Sequence, residues 1–204
     1  MSGTGIFGGS FDPVHEGHRK LALVAVKELG LDRLIVLPAA NSPFKVGQKH
    51  ASDADRLAMC KLAFADHPQI EVSDLELVRG GVSYTYLTLK EFANPGKKLY
   101  LLTGADAFLT VQDWKYAPLI AQDVFFVGVC RSGDEQENLK KHADFLQALG
   151  FSVRLMPFEP LVLSSTEIRG RLKNGLSTEG LLLPSVREYI FTHGLYGITE
   201  THIT

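Results

Sequence analysis

Gly5-Ile6-Phe7-Gly8-Gly9-Ser10-Phe11-Asp12-Pro13-Val14-His15-Glu16-Gly17-His18 is the stretch on which the reading of this 204-residue chain turns. A short apolar run ends in paired glycines, and an Asp-Pro step and two histidines follow. Behind them, Arg19 to Leu29 carries apolar residues at helical spacing, with Leu21, Val24, Ala25 and Leu29 on one stripe and Gly30 as a stop. The histidines therefore stand where a strand hands over to a helix. Gly8 and Gly9 lack Cβ atoms, so a ligand can approach their backbone closely. The N–H groups and positive dipole end of the helix behind them favour an anion. His15 and His18, three residues apart, face the same way from a first helical turn. Two imidazoles above a phosphate cradle suit a reaction that rearranges phosphate charge. Singly these features are commonplace, since many turns close on Gly-Gly and many helices begin at a solvated histidine. Spaced as G-G-x-F-D-P-x-H-x-G-H at the first strand-to-helix turn, they are far more specific.

The bulk composition narrows the classes. With 45% hydrophobic and 22% charged residues, the chain reads as one soluble domain large enough for a substantial core. A formal net charge of -2 counts against a nucleic-acid partner, which calls for a basic face, yet leaves room for local positive charge at a phosphate site. Cys60 and Cys130 stand far apart without a C-x-x-C spacing, so buried reduced thiols are expected rather than a disulfide or metal site. No basic-then-apolar leader opens the sequence and no apolar run approaches ~20 residues, so a cytoplasmic protein without a membrane partner is expected.

Strand-like and helix-like segments alternate along the chain. Strands are expected at Thr4–Phe7, Arg33–Leu37, Gln69–Ser73, Lys98–Thr103, Val124–Val129 and Ser152–Met156. Helices are expected near 17–29, from the capping box Ser52-Asp53-Ala54-Asp55 to about Ala65 with Leu57, Cys60 and Phe64 inward, and from a Ser83 cap to about Phe92. A charged amphipathic helix follows over 134–149, and shorter ones near 166–173 and 184–192 make a C-terminal helical segment of about 164–204. Leu75–Val78 reads as extended structure running up to the Gly80-Gly81 turn. Such alternation implies an α/β fold with a doubly wound parallel sheet, in a single domain over residues 1–204. In the common doubly wound order, strand one lies beside strand four and ligands bind beyond the carboxyl ends of the strands. The Gly8-Gly9 loop then adjoins Thr103-Gly104-Ala105-Asp106, where Gly104 permits close approach and Asp106 either accepts from ribose hydroxyls or caps a helix.

Other residues admit two readings each. Ser83-Tyr84-Thr85 opens a helix whose N–H groups could hold a carboxylate, or needs no ligand at all. Ser164-Ser165-Thr166 with Arg169 offers hydroxyls, N–H groups and a guanidinium fork that together can clamp a polyphosphate, or is an ordinary cap with a surface arginine. Lys45 and Arg131 taken alone read as solvated cations. Trp114, the only tryptophan, is core or a stacking platform.

The opening stretch resembles the signature of nucleotidyltransferases that share an H-x-G-H motif with class I aminoacyl-tRNA synthetases, and most of all the bacterial nicotinate-nucleotide adenylyltransferases. The G-x-D at Gly104–Asp106, S-Y-T at Ser83–Thr85, Trp114, S-S-T-x-x-R at Ser164–Arg169 and the ending Leu183–Ile190 with His193–Tyr196 extend the resemblance over nearly the whole chain. It implies a Rossmann-like nucleotidyltransferase in which His15, His18 and Arg169 are catalytic. Phe7, Gly8, Gly9, Ser10, Phe11, Lys45, Gly104, Asp106, Ser164, Ser165 and Thr166 would bind ATP. Ser83, Tyr84, Thr85, Trp114 and Arg131 would bind the pyridine mononucleotide. The loop after strand two departs from the family's P-P-H-[KR] wording, keeping Lys45 but placing Phe44 where a histidine is usual, and Ala40 stands where an asparagine is common.

The expected activity is transfer of AMP from ATP to nicotinate mononucleotide, giving nicotinate adenine dinucleotide and pyrophosphate, in NAD biosynthesis. Mg²⁺ is expected to arrive with ATP, bound mainly by phosphates and water, because no carboxylate cage is visible. Three other readings compete: an H-x-G-H adenylyltransferase for nicotinamide mononucleotide or phosphopantetheine, a non-catalytic nucleotide-binding regulator, and an RNA-binding relative of the synthetases. S-Y-T and Trp114 oppose a phosphopantetheine substrate, the intact histidines and Arg169 oppose the second, and net charge opposes the third.

Overall fold

The computed structural model describes residues 3–40, 51–94, 96–121, 123–130, 134–158 and 164–198. Its strands are β1 (Gly3–Gly9), β2 (Arg33–Pro38), β3 (Ile70–Val72), β4 (Lys98–Thr103), β5 (Val124–Cys130) and β6 (Ser152–Pro157). They form one sheet in the order β3-β2-β1-β4-β5-β6, with every pairing parallel. Between and after them run α1 (Glu16–Leu29), α2 (Asp53–Phe64), α3 (Leu75–Arg79), α4 (Thr85–Phe92), α5 (Ala105–Phe108), α6 (Ala117–Ile120), α7 (Asp134–Ala148), α8 (Ser165–Lys173) and α9 (Pro184–Thr192).

The inner strands β2, β1, β4 and β5 are buried at most positions because successive side chains enter two cores, one on each face of the sheet, while the edge strands β3 and β6 keep Glu71 and Arg154 exposed. Phe7, Leu34, Val36, Tyr100, Leu102 and Val127 point toward α1, α2, α8 and α9. Their neighbours Ile6, Ile35, Leu37, Leu99, Leu101 and Phe126 point toward α4, α5, α6 and α7. Register keeps each layer continuous: Ile6 lies opposite Ile35 and Leu101, and Phe7 opposite Val36 and Leu102. The expected doubly wound sheet is thus observed, with β1 at its centre between β2 and β4.

Several local expectations shift. The buried stripe of α1 runs through Gly17, Ala22, Ala25 and Leu29, leaving Leu21 and Val24 only half-buried. In α2 the capping box forms, with the Asp55 N–H donating to Ser52 Oγ at 3.1 Å and the Ser52 N–H to Asp55 Oδ2 at 3.3 Å. Its inward face is Arg56, Met59, Cys60, Ala63 and Phe64, while Leu57 is half-buried. Leu75–Arg79 is a helix, not extended chain. It turns because the Glu76 carboxylate is buried and receives the Thr88 hydroxyl at 2.7 Å, while Gly80 ends the turn at φ +64°. Residue 84, not Ser83, is the N-cap of α4, and it makes no side-chain capping bond. Both cysteines are reduced and buried, and burial pushes the Cys60 thiol up. No helix among the described residues is long and apolar enough to cross a membrane.

Candidate active site

The switch point falls between β1 and β4, whose carboxyl ends carry Gly8-Gly9 and Gly104 side by side. An added Cβ would meet nothing within 4 Å at Gly8 or Gly104, so space is open above both backbones. Gly9 is different: a Cβ there would stand 2.9 Å from the Phe11 ring. Phe11 lies in the left-handed region at φ +47° and is 1% exposed. A non-glycine residue held there costs on the order of 1–3 kcal/mol, which surrounding packing must offset. The Phe11 ring does so by meeting Phe7 edge-on at 5.3 Å and His18 at 5.0 Å.

Beyond this turn, His15 is the extended N-cap of α1 and is 5% exposed. Its ring stacks on that of His18 at 3.7 Å and 27°. The His15 backbone N–H donates to His18 Nδ1 at 3.3 Å, which assigns the neutral His18 proton to Nε2. Burial lowers the His15 pKa from 6.5 to about 4, so its imidazole is neutral at pH 7 and acts through its ring dipoles. His15 Nδ1 is buried with no hydrogen-bond partner among the described residues. Part of the first helical turn is not available to an anion, because the Glu16 N–H donates to Leu181 O at 3.0 Å.

The second motif folds onto the first. Ser165 Oγ donates to Pro13 O at 3.0 Å, and Arg169 Nη1 donates to Asp12 O at 2.7 Å. Arg169 Nη2 reaches Thr166 Oγ1 at 3.1 Å, and Ser164 Oγ caps α8 by accepting from the Glu167 N–H at 3.1 Å. The motif thus stands beside the signature loop, and its three hydroxyls all have partners among the described residues.

On the β4 side, Gly104 is the N-cap of α5 and Asp106 is exposed in its first turn, so Asp106 does not serve as the helix cap. Trp114 lies farther along the same connection. It is half-buried, with its indole N–H donating to Thr110 Oγ1 at 3.2 Å and its ring edge-on to Phe126 at 6.4 Å. Lys115 Nζ sits 4.5 Å over the Tyr84 ring, which joins the Trp114 segment to the S-Y-T segment. Lys45, Phe44 and Arg131 lie outside the described residues. Ala40 is buried and brings no polar group.

Three residues without an expected role prove central. Arg56, 1% exposed, donates to Ser10 O at 2.6 Å, Ala39 O at 2.8 Å and Asp53 Oδ1 at 2.7 Å. It thereby pins the glycine loop to the segment leaving β2. The Asp12 carboxylate accepts from the Ala51 N–H at 3.2 Å and the Tyr196 hydroxyl at 2.8 Å. For Arg56 the available signal was its place on the buried stripe of α2; for Asp12 and Tyr196 no local pattern pointed to the pairing. A separate groove of about 460 Å³, lined by Leu23, Leu31, His67 and Ile70 among others, lies at the amino ends of the strands, away from all of these groups.

The family model for cytidylyltransferase-like proteins matches residues 6–171, spanning both motifs. A probable nicotinate-nucleotide adenylyltransferase of Desulfitobacterium hafniense (strain Y51) is 41% identical over 201 residues, covering 95% of each chain. Another, of Bordetella petrii, is 39% identical over 196 residues, covering 96% of this chain and all of the relative. The chain is a member of the nicotinate-nucleotide adenylyltransferase family. A Clostridium botulinum relative of the same name is 35% identical over 96% of this chain and 98% of its own length. Among solved structures, Plasmodium falciparum nicotinic acid mononucleotide adenylyltransferase complexed with NaAD superposes with a TM-score of 0.75 at 19% identity, covering 98% of this chain and 99% of the other. The sheet order and its two helical layers are therefore those of this fold. Among the described residues, no group of three or more His, Cys, Asp or Glu side chains is placed to hold a metal ion.

Proposed function

We propose that this chain transfers the adenylyl group of ATP to nicotinate mononucleotide, giving nicotinate adenine dinucleotide and pyrophosphate. The observation that carries the reading is the stacked His15–His18 pair beside the open Gly8 and Gly104 backbones, in a chain of this family. An oxygen of the mononucleotide 5′-phosphate attacks the α-phosphorus of ATP, a new P–O bond forms, and the bond to the β-phosphate oxygen breaks. Pyrophosphate leaves with that electron pair. The attacking group is already an anion, so the protein's work is positioning and stabilising charge.

Each group has a part in this. The open backbone at Gly8 and Gly104 lets the nucleotide lie against the strand ends, with Phe7, Ser10 and Phe11 shaping the turn and Asp106 placed toward ribose hydroxyls. His18 directs Nε2–H at the α-phosphate, with the neutral His15 ring stacked against it. Arg169, Ser165 and Thr166 flank the leaving pyrophosphate, and Lys45 is the further cation that the family resemblance assigns to it. Mg²⁺ carried on ATP would neutralise phosphate charge, held by phosphates and water rather than by a protein carboxylate cage. Trp114 offers a flat face to the pyridine, and the start of α4 at Thr85 offers N–H donors and a positive dipole end to its carboxylate.

That last arrangement makes an acid-specific site. A carboxamide would set its NH₂ against those donors, and such a mismatch costs about 1–3 kcal/mol, roughly tenfold to over a hundredfold. The experiment is a panel of mononucleotides with ATP and Mg²⁺, reading pyrophosphate. Nicotinate mononucleotide should exceed nicotinamide mononucleotide in kcat/KM by that factor. Comparable values would make the enzyme dual-specific, and no pyrophosphate from any member would reject catalysis.

A further inference from the structure

Asp12 is held from three remote parts of the chain. Its carbonyl accepts from Arg169 in α8, and its carboxylate accepts from the Ala51 N–H before α2 and from the Tyr196 hydroxyl. Tyr196 comes from the C-terminal turn Leu195–Gly197, 184 residues away along the chain. That turn places Tyr196 in the left-handed region at φ +62°, a conformation unusual for an aromatic residue. A strained tyrosine aimed at one buried carboxylate is more than a hydrophobic plug, because ring packing alone would leave the hydroxyl position unspecified.

From Asp12 the order runs on into the imidazoles. Asp12 lies three residues before His15, and the His15 backbone N–H holds His18 Nδ1. Rotation at Asp12 would therefore tilt both stacked rings. We propose that Tyr196 is a positioning residue: its hydroxyl, by holding the Asp12 carboxylate, fixes the turn that aims the His15–His18 pair at the reacting phosphates. The role rests on the adenylyltransferase reading above. Burial and the neighbouring Asp12 carboxylate both push the Tyr196 phenol up, so the hydroxyl remains a donor throughout the working pH range. The mononucleotide platform at Trp114 and Tyr84 lies on other connections and is untouched by this chain of contacts.

Tyr196→Phe keeps the ring and removes only the donor. Measured well below its Tm, the variant should lose about tenfold in kcat, the scale of one lost hydrogen bond to a charged group. The KM for the mononucleotide should stay within about twofold. Asp12→Ala should show the same split, and adding Tyr196→Phe to it should cost nothing further, since the hydroxyl acts through Asp12. Hydrogen exchange across residues 12–18, which needs no substrate, should rise in Tyr196→Phe. A Tyr196→Phe enzyme with parent kcat, or additive effects in the double variant, would overturn the proposal, as would unchanged exchange. Should Tyr196→Phe not fold, Asp12→Ala decides alone: parent kcat overturns it, and a lowered kcat at unchanged mononucleotide KM supports it. Failure of the adenylyltransferase reading is recognised separately, as absence of pyrophosphate from the parent chain.

Discussion

His15 ties the candidate site to stability, and its burial makes that tie measurable. In the unfolded chain the imidazole titrates near 6.5; in the folded chain burial lowers this to about 4. Between those two values the unfolded state binds the extra proton and the folded state resists it. The contribution is therefore fully present above pH 6.5 and is lost as pH falls toward 4. At pH 5 the two titrations differ by about 2 kcal/mol in favour of unfolding, against roughly 0.2 kcal/mol at pH 7. The perturbation is His15→Asn, which cannot titrate, with urea unfolding of parent and variant at both pH values. Carboxylates elsewhere titrate alike in both proteins and cancel in the comparison. The parent should lose about 2 kcal/mol more than the variant between pH 7 and pH 5. Parallel losses would refute the claim that His15 is buried in its neutral form.

Three further outcomes follow from the same geometry. His18→Ala should lower kcat by about 10²–10³ with ATP affinity little changed, because its donor acts on charge that develops in the transition state; steady-state kinetics and an ATP titration check both halves. Arg56→Ala leaves the Ser10 and Ala39 carbonyls without their donor, which should cost about 3–5 kcal/mol. In a scanning calorimeter that appears as a Tm lower by roughly 6–20 °C. Arg169→Lys retains charge but cannot hold Asp12 O and Thr166 Oγ1 with one planar fork, so activity should fall steeply while Tm barely moves; full activity would make the guanidinium dispensable.

The sheet was legible because its four inner strands are buried along most of their length and read as apolar runs between glycines and polar turns. The signature turn was legible because glycine and histidine spacing reflects local backbone needs. Leu75–Arg79 was not, since five residues, three of them apolar, hold no period long enough to tell helix from strand. There the outcome hangs on a buried hydrogen bond from Thr88, a residue farther along the chain. Arg56 was overlooked for a related reason: a charged residue in a helix normally marks the solvated face, yet here the backbone carbonyls of two loops satisfy it inside. Tyr196 and Asp12 meet only through the completed fold, so no window of sequence contains their contact. The α1 stripe was legible at Ala25 and Leu29, while Ala22 is buried where the larger Leu21 was expected.

The contact between residues 12 and 196 also orders events during synthesis. β1 and the glycine loop leave the ribosome well before the turn that closes on Asp12, 184 residues further along the chain. At ordinary elongation rates of about 5–20 residues per second, roughly 10–40 s separate the two. Through that interval the nucleotide loop lacks the Tyr196 anchor, and for most of it the Arg169 anchor as well. A nascent chain can build the sheet and still lack an ordered catalytic turn, so the emergence of Tyr196 acts as a checkpoint on the glycine loop.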